Sequence, residues 1–416
     1  MFDRKRYLQQ LIDRKNNGLI KVITGIRRCG KSYLLFNIFK NYLLDNGIDE
    51  NHIISVQLDN VDYEELTDIK KLNKYIKDRI TDKGIYYVLL DEIQLVDGFE
   101  RLLNGLLYLN NVDCYVTGSN SKFLSSDIIT EFRGRGDEIR VRPLSFSEYY
   151  NSMGGDKKEA LDDYMRFGGL PVCVLANNDE QKEKYLIGLF ETIYLVDIKE
   201  RNNVNNSEEL DELVNFLSSG IGTLTNPNKL SNAFKSIKGV SISSATINSY
   251  IGYLENAFII EKAMRYDVKG KRYISTPMKY YFEDLGLRNA RINFRQYEET
   301  HLMENLIYNE LRYRGFNVDV GVVEKNEHTE KGFGRKVQLE IDFIATKGYK
   351  KYYIQSAYSI ENSDKLSQEE SSLDLVGDSF QKVIIVMNTG KKYQNEKGYL
   401  IIGLSDFLLD ENSLSI

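Results

Sequence analysis

Two glycines, at positions 25 and 30, frame a segment whose residue types fit a phosphate-binding loop. The segment and the residue after it read Gly25, Ile26, Arg27, Arg28, Cys29, Gly30, Lys31, Ser32 and Tyr33. Glycines let a backbone curl so that its N–H groups point at phosphate oxygens, and the start of a following helix adds partial positive charge. Lys31 is therefore expected to reach the β- and γ-phosphates of ATP, and the Ser32 hydroxyl is expected to bind Mg²⁺.

The segments on either side of this loop have the patterns of a strand and a helix. Residues 19–24 are mostly apolar and β-branched, as in a buried strand, and residues 33–39 have the apolar spacing of a helix. A chance match to the loop pattern is disfavoured, because strand, loop and helix occur in the order that the chemistry needs. We predict an α/β P-loop NTPase core that binds ATP and Mg²⁺ and hydrolyses ATP.

Two acidic residues, Asp91 and Glu92, follow the apolar run 85–90, which is expected to form a second buried strand. Ligands bind at the carboxyl ends of the strands in open α/β sheets. Asp91 is expected to hold the magnesium ion, and Glu92 to orient or deprotonate the attacking water. An apolar strand that ends in two acids says little alone, but beside the glycine loop it indicates a catalytic edge.

A further candidate strand, residues 112–118, ends at the polar run Ser119, Asn120 and Ser121. The polar groups of this run, Asn120 among them, are well placed to contact a γ-phosphate or the attacking water. Serine and asparagine are also preferred at the first position of a helix, so capping alone is an alternative role for them.

Two arginines, Arg133 and Arg135, lie just before the strand predicted at 137–141. An arginine from a neighbouring subunit can stabilise the charge on a transferred phosphoryl group, which makes both residues candidates for such a finger. Because arginine is mostly solvent-exposed in proteins, simple surface solvation is the alternative.

Four segments occur in an order that resembles a known family: GIRRCGKS, YYVLLDE, TGSNS and RGRGDEIRVRPLSFSEYY. Over nearly its whole length the chain resembles AAA-type bacterial and archaeal ATPases that carry a C-terminal domain of unknown function. The resemblance implies that the turn at 168–171 lies in a helical lid, with Pro171 contacting the adenine and Arg166 acting as a phosphate sensor. A plain connection between two helices is the alternative for this turn.

A chain of 416 residues is long enough for several domains. We expect three: an ATPase core at 1–150, a helical lid with a winged-helix segment at 151–275, and a C-terminal domain at 276–416. The 3 cysteines form no paired pattern, and the presence of only 3 histidines disfavours a histidine-rich metal site. The charged start of the sequence and its short apolar runs predict a cytoplasmic protein without a membrane partner.

The middle segment has a winged-helix pattern, with helices at 228–234 and 243–254 and strands at 259–263 and 272–275. The second helix carries no lysine or arginine, although contacts with nucleic acid depend heavily on both. A packing role is therefore favoured for this segment. The net charge of -6 also argues against wholesale wrapping of nucleic acid, but the basic tip at 265–272 could touch a phosphate backbone.

The C-terminal segment is predicted to form a helix at 304–312 and strands at 340–345, 352–357 and 383–387. Glu304, Asp342 and Gln355 on these elements look like the acidic centre of a restriction-endonuclease-like core. Active members place a lysine at the position of Ala357, where it helps to activate water beside the metal. Without that charge we expect a nuclease-like α/β fold that does not cleave robustly. The three side chains could still bind a metal ion weakly, and the alternative for them is an oxygen-rich surface cluster without function.

Three functions are consistent with these patterns. The first is an ATP-hydrolysing switch or motor that couples its nucleotide state to the binding of a protein or DNA partner, within a homo-oligomer. The second is an ATP-dependent nucleic-acid-processing protein with a nuclease-like C-terminal domain. The third is a scaffold that binds ATP and scarcely hydrolyses it, against which Glu92 and the candidate arginines count.

Overall fold

A computed structural model of the chain describes residues 2–118, 132, 134–204, 206–239, 241–328, 334–360 and 362–415. The chain divides into two compact units. The first comprises Met1–Leu144 with Asn256–Phe258, and the second comprises Ser145–Glu255 with Ile259–Ile416. Among the described residues, no helix is long and apolar enough to cross a membrane.

The first unit alternates strands with helices. In chain order its elements are α1 (Lys5–Asp13), β1 (Ile20–Thr24), α2 (Lys31–Tyr33), a π-helical stretch (Leu34–Phe39), α3 (Lys40–Asp45), a 3-10 turn (Glu50–His52), β2 (Ile53–Gln57), a 3-10 stretch (Val61–Thr67), α4 (Ile69–Arg79), β3 (Tyr86–Asp91), a 3-10 turn (Ile93–Leu95), α5 (Phe99–Leu106), β4 (Val112–Thr117) and β5 (Gly136–Arg140). From α2 to α3 the helix is continuous, so the glycine loop joins β1 directly to a helix.

The five strands form one sheet in the order β2-β3-β4-β1-β5, and every neighbouring pair is parallel. All residues of β1 and β3 are buried, as expected for a parallel sheet covered on both faces. One hydrophobic core includes Val22, Val88 and Val116 from the central strands and Leu103 from α5. The predicted α/β core with a parallel sheet is confirmed.

The second unit begins with helices. Its helices are α6 (Phe146–Met153), α7 (Lys157–Phe167), α8 (Pro171–Val174), α9 (Asp179–Leu189), a π-helical stretch (Phe190–Tyr194), α10 (Leu195–Arg201), α11 (Ser207–Ser219), α12 (Pro227–Ala233), a π-helical stretch (Phe234–Lys238), α13 (Ser244–Asn256), α14 (Leu285–Arg291), α15 (Glu299–Tyr313), α16 (Ser363–Leu373) and α17 (Leu404–Leu409). Ser145 and Glu148 form a capping box at the start of α6, which satisfies backbone N–H groups there.

An eight-stranded mixed sheet completes the second unit, in the order β12-β13-β11-β10-β9-β8-β6-β7. Its strands are β6 (Ile260–Asp267), β7 (Arg272–Phe282), β8 (Asn317–His328), β9 (Gly334–Lys347), β10 (Lys350–Ala357), β11 (Gln381–Val386), β12 (Tyr393–Gln394) and β13 (Leu400–Gly403). The hairpin predicted as a wing is therefore β6 and β7 of this sheet, and residue 275 lies within β7. The winged-helix and restriction-endonuclease-like interpretations remain predictions.

The turn predicted at 168–171 follows α7, and a buried carboxylate holds it. Gly169 N donates to Asp284 Oδ2 at 2.8 Å, and Leu287 N donates to Asp284 Oδ1 at 3.1 Å, so one side chain binds the turn and caps α14. Burial raises the pKa of Asp284 to about 6. Gly168 has φ +74, and a Cβ there would lie 2.2 Å from Asp284 Oδ1. Only glycine therefore fits at position 168.

We expect Gly168→Ala to destabilise the chain more than Gly154→Ala. Both glycines follow a helix with similar positive φ values, 74 and 66, so both substitutions carry a backbone cost of about 1–2 kcal/mol. Only at Gly168 would the new methyl group collide with Asp284, which adds about 1–3 kcal/mol, since a Cβ at Gly154 meets no atom within 4 Å. Denaturant unfolding of both variants measures the difference; equal losses would contradict the proposed clash.

Candidate functional site

The glycine loop curls tightly between β1 and α2. Gly25 has φ +135, and a Cβ at this position would lie 2.0 Å from the carbonyl oxygen of Val141. Gly30 and Arg28 also have positive φ, 98 and 68, so the backbone turns sharply at three places within the loop. Any side chain at position 25 would push β1 and the residue after β5 apart, which explains the first glycine of the predicted motif.

Lys31 turns back into the curl of the loop. Its ammonium group donates to Gly25 O at 3.0 Å and to Ile26 O at 3.1 Å, and the residue is only 4% exposed. Among the described residues, this buried ammonium has carbonyl oxygens as its hydrogen-bond partners and forms no ion pair with a carboxylate. Its positive charge therefore lies open to an anion at the place where the sequence predicts phosphate.

The two predicted magnesium ligands lie close together. The Ser32 hydroxyl is near enough to the Asp91 carboxylate to favour its charged form, so the start of α2 lies beside the end of β3. Thr117, at the end of β4, also donates to Asp91 through its hydroxyl and accepts a hydrogen bond from Glu92 N at 3.1 Å. Hydroxyl and carboxylate oxygens are the ligands that Mg²⁺ prefers, so these residues fit the ion. Burial raises the pKa of Asp91, and a bound cation would oppose that shift.

Glu92 has a strained backbone at the end of β3. Its φ of +50 is left-handed, a conformation that non-glycine residues rarely adopt and that clusters at functional sites. Its carboxylate accepts a hydrogen bond from the Gln94 amide. The side chain is half-buried, so it can still meet a water molecule at the edge of the sheet. This placement is compatible with the role predicted for Glu92.

Other predicted loop residues differ in what they contribute. Ile26 and Cys29 are buried, and Cys29 Sγ donates to Val141 O at 3.4 Å, so these two side chains pack the loop against the sheet. Arg27 and Tyr33 are half-buried, and Arg28 is exposed. The predicted contacts of these side chains with nucleotide remain predictions.

The candidate finger residues lie either far from the glycine loop or outside the described residues. Arg135 directly precedes β5, whose first residue pairs with Ile20 at the start of β1, so Arg135 lies at the opposite edge of the sheet from the glycine loop. It is too far away to serve the nucleotide of its own loop; a role toward another subunit remains a prediction, and surface solvation remains the alternative. Asn120 and Arg133 lie outside the described residues.

The predicted lid residues belong to the second unit. Arg166, in the last turn of α7, lies 2.8 Å from Glu183 Oε1 and 3.8 Å from Asp179 Oδ2, and its side chain is 45% exposed. Pro171 is the first residue of α8. Their predicted contacts with phosphate and adenine remain predictions.

A second group of charged residues, which we call the polar cluster, lies on the eight-stranded sheet. It comprises Lys279, Glu304, Glu340, Asp342 and Gln355. Lys279 is 4% exposed, and its Nζ lies 2.8 Å from Glu304 Oε1 and 2.6 Å from Glu340 Oε1. Ala357 is buried and carries no charge, as predicted, but a lysine reaches the same cluster from β7. The sequence did not indicate this second source of positive charge.

Asp342 links β9 to β10 just beyond the last paired residues of the two strands. The last paired residues are Phe343 and Ile354. Beyond them Asp342 N donates to Gln355 Oε1 at 2.8 Å, and Ser356 N donates to Asp342 Oδ2 at 2.8 Å. Burial and the nearby charge of Glu304 raise the pKa of Asp342 to about 8. Its carboxyl group is therefore mostly protonated at neutral pH.

The arrangement of the polar cluster fits neutralisation of its carboxylates by Lys279 better than it fits binding of a metal ion. Among the described residues, no group of three or more His, Cys, Asp and Glu side chains is placed to hold a metal ion. Lys279 supplies a cation between two of the carboxylates. Glu304 is 9% exposed, so the cluster is largely buried and is not the surface group that the sequence left as an alternative.

Comparison with known proteins shows which family the chain belongs to. Residues 17–150 match the family described as AAA domain, and residues 158–298 match a domain of unknown function (DUF8612). An uncharacterized protein of Haemophilus influenzae is 36% identical over 417 residues, which is 98% of this chain and 99% of that protein. This chain belongs to the same family as that protein. The match at residues 17–150 agrees with the predicted P-loop class of the N-terminal domain.

More distant similarities extend over much of this AAA-domain protein. An uncharacterized protein of Methanocaldococcus jannaschii is 28% identical over 389 residues, covering 89% of this chain and 82% of its own length. Among solved structures, the ORC1 protein of Aeropyrum pernix in complex with DNA is similar with 11% identity and a TM-score of 0.29, covering 70% of this chain and 92% of its own.

Sequence reasoning on this AAA-domain protein missed Thr117 and Lys279. Thr117 bridges both catalytic candidates, and its only signal is a polar residue at the carboxyl end of a strand next to β3. Lys279 lies on β7, far in sequence from β9 and α15, and no local pattern connects it with Glu304 or Glu340. Both residues reach their sites only because segments far apart in the chain pair with each other.

We expect Asp91→Asn to weaken the binding of nucleotide with Mg²⁺ without lowering the stability of the metal-free protein. Burial raises the pKa of Asp91, so the folded state disfavours its charge above the unfolded pKa, and a neutral amide should not destabilise the metal-free protein at pH 7. The affinity for an ATP analogue in the presence of Mg²⁺ should fall at least about tenfold, because a ligand oxygen with its charge is lost. Thermal unfolding in EDTA and titration of the analogue with Mg²⁺ measure the two effects.

Asp113→Asn is the matched control for this substitution. Asp113 lies on the neighbouring strand and is also buried, but it forms an ion pair with Lys21. Removing half of a buried ion pair should cost about 3–5 kcal/mol of stability. An Asp91 variant that loses as much stability as the Asp113 variant would show that Asp91 is structural.

Proposed function

We propose that this protein is a magnesium-dependent ATPase that couples its nucleotide state to the binding of a partner. One observation supports this function above all: the Lys31 ammonium lies in the glycine loop, and Asp91 and Glu92, both hydrogen-bonded to Thr117, lie beside Ser32 at the carboxyl edge of the same parallel sheet. Five polar groups from three separate segments meet at the edge where such sheets bind ligands.

Each of these groups has a distinct role in the proposed reaction. Lys31 and the loop N–H groups bind the β- and γ-phosphates, and Ser32 with Asp91 would hold the magnesium ion. Bound Mg²⁺ supplies positive charge that neutralises the phosphate oxygens. Glu92 orients the attacking water and accepts its proton. Thr117 fixes Asp91 through its hydroxyl and fixes the Glu92 backbone by accepting its N–H.

Further parts of the proposed mechanism lie outside this edge. Arg135, and Arg133 beside it, would act on the nucleotide of a neighbouring subunit, because Arg135 is at the wrong edge of its own sheet. Arg166 and Pro171 would close over the nucleotide as a lid. Arg166 would first have to leave Glu183, and an exposed pair of this kind contributes only about 0–1 kcal/mol.

Lys31→Ala is expected to abolish binding of ATP, whereas Glu92→Gln should keep binding and lose hydrolysis. The first substitution removes the charge that meets the phosphates, and the second keeps the shape of the side chain but removes its basicity. We expect turnover to fall at least about a hundredfold in both variants. A fluorescent ATP analogue reports binding, and release of phosphate reports hydrolysis.

Lys40→Ala is the control for the lysine substitution. Lys40 follows on the same continuous helix, but it pairs with Glu50 at 3.2 Å, away from the loop. Unchanged turnover in Glu92→Gln would contradict the proposed role of Glu92. Tight binding without any turnover in the unmodified protein would favour the scaffold that binds ATP and scarcely hydrolyses it.

A second candidate function, nucleic-acid processing, gains support from Lys279. The sequence left the nuclease-like centre without a lysine, but the Lys279 ammonium lies beside Glu304 in the polar cluster. A lysine next to carboxylates can stabilise the charge that develops when water attacks a phosphodiester. The raised pKa of Asp342, about 8, means that this group would offer its charge to a metal only as the pH rises.

If the polar cluster cleaves nucleic acid, the rate should rise between pH 7 and 9 as Asp342 loses its proton, and Asp342→Asn and Lys279→Ala should both remove it. Linear and branched DNA with Mn²⁺ or Mg²⁺ provides the assay. Lys262→Ala, on the neighbouring strand with its Nζ 3.7 Å from Glu255, is the control. No cleavage by the unmodified protein at any pH would leave the polar cluster a structural ion-pair network.

A further inference from the structure

One end of the eight-stranded sheet carries exposed cations that neither candidate site uses. At this end the β6–β7 turn meets β8 and β9. We call the basic edge the four exposed side chains Lys269, Lys271, Arg272 and Lys336. Among the described side chains there, two carboxylates, Asp267 and Glu324, accompany them.

Strand pairing brings these cations onto one continuous surface. The β6–β7 turn lies against β8, because Val268 N donates to Val322 O at 3.0 Å and Lys269 Nζ donates to Glu324 O at 3.2 Å. On the next strand, Lys336 Nζ lies 3.0 Å from Glu324 Oε2. The turn and the β8–β9 pair therefore present their charges together.

The two carboxylates do not neutralise this surface. Arg272 Nε lies 3.5 Å from Asp267 Oδ2 with a side chain that is 78% exposed, and the Lys336 side chain is 72% exposed. Ion pairs so open to water are weak, so a ligand with a denser negative charge can displace the carboxylates. The excess of positive charge at this edge contrasts with the net charge of -6 for the whole chain.

Hydrogen-bond donors continue from the basic edge along one face of the sheet. Lys336, Gln338 and Glu340 alternate along β9 and therefore share a face, with steps of about 6.7 Å. From β6, Arg265 Nη2 donates to Gln338 Oε1 at 3.4 Å, and from β7, Lys279 reaches Glu340 at 2.6 Å. Arg265 is 8% exposed, and its Nε has no hydrogen-bond partner. Arg265 and Lys279 are buried and already have partners, so only the exposed cations of the basic edge are open to a ligand.

We propose that the basic edge binds the phosphodiester backbone of DNA, without reading its sequence. Exposed lysine and arginine side chains spread over a turn and a neighbouring strand fit a chain of phosphates better than they fit a compact anion such as a free nucleotide. Each phosphate that these side chains contact releases condensed counterions, which drives binding at low salt. This binding depends neither on hydrolysis of ATP nor on cleavage at the polar cluster.

The test uses the full chain and fluorescein-labelled DNA of about 30 nucleotides, as single strand and as duplex. Lys271→Glu combined with Arg272→Glu should weaken binding at least tenfold at about 0.1 M salt. It should also lower the slope of log affinity against log salt by about 1.4 for single strands and about 1.8 for duplex, as expected for two lost phosphate contacts. The two arms show which form of DNA the edge prefers. Circular dichroism and thermal unfolding verify that the variant is folded.

Lys158→Glu combined with Lys184→Glu is the matched control. These lysines are exposed, lie on α7 and α9, and give the same change in net charge. If the control pair weakened DNA binding equally, the effect would come from the net charge of the protein, and the proposal would be overturned. Unchanged affinity in the Lys271/Arg272 variant would also overturn it, as would binding to phosphatidylserine vesicles without binding to DNA. Lys279→Ala should keep DNA binding, which distinguishes this proposal from cleavage at the polar cluster.

Discussion

The parallel pairing of β1 with β4 and β5 is the constraint on which the N-terminal unit depends. Ile23 lies opposite Thr117 on one side and opposite Ile139 on the other, and all five strands run in the same direction. Their carboxyl ends therefore meet at one edge, with the glycine loop following Thr24. A slip of β1 would place Gly25 away from Val141 and separate the loop from Asp91 and Thr117.

Buried charge distinguishes the structural end of this sheet from its candidate functional end. At the amino end of β1, Lys21 and Asp113 are almost fully buried and form an ion pair, so neither needs a ligand. At the carboxyl end, Asp91 is just as buried, it accepts a hydrogen bond from the Thr117 hydroxyl, and its pKa is raised. Among the described residues, one aspartate is thus neutralised by a lysine, whereas the other forms no ion pair. That difference marks the place where a metal ion would be stabilised.

Whether the fold itself neutralises a charge also distinguishes two regions of the second unit. In the polar cluster, Lys279 lies between Glu304 and Glu340, and Asp342 carries its own proton near neutral pH, so the charges are largely satisfied within the fold. On the basic edge the cations are exposed and outnumber the carboxylates. A satisfied buried network fixes strands and a helix relative to one another, whereas exposed charges that form only weak, solvated ion pairs are available to a partner.

The sequence by itself determined the glycine loop, the strand that ends in Asp91 and Glu92, and the α/β class, because each depends on residues within a few positions of one another. It also indicated the break after α7 at Gly168. Only the tertiary structure decided that Thr117 joins Asp91 to Glu92, that Lys279 enters the polar cluster, that Asp284 holds the turn, and that Arg135 lies at the far edge of its sheet. These contacts join segments far apart in the chain, and strand order and register, which no local pattern encodes, bring them together.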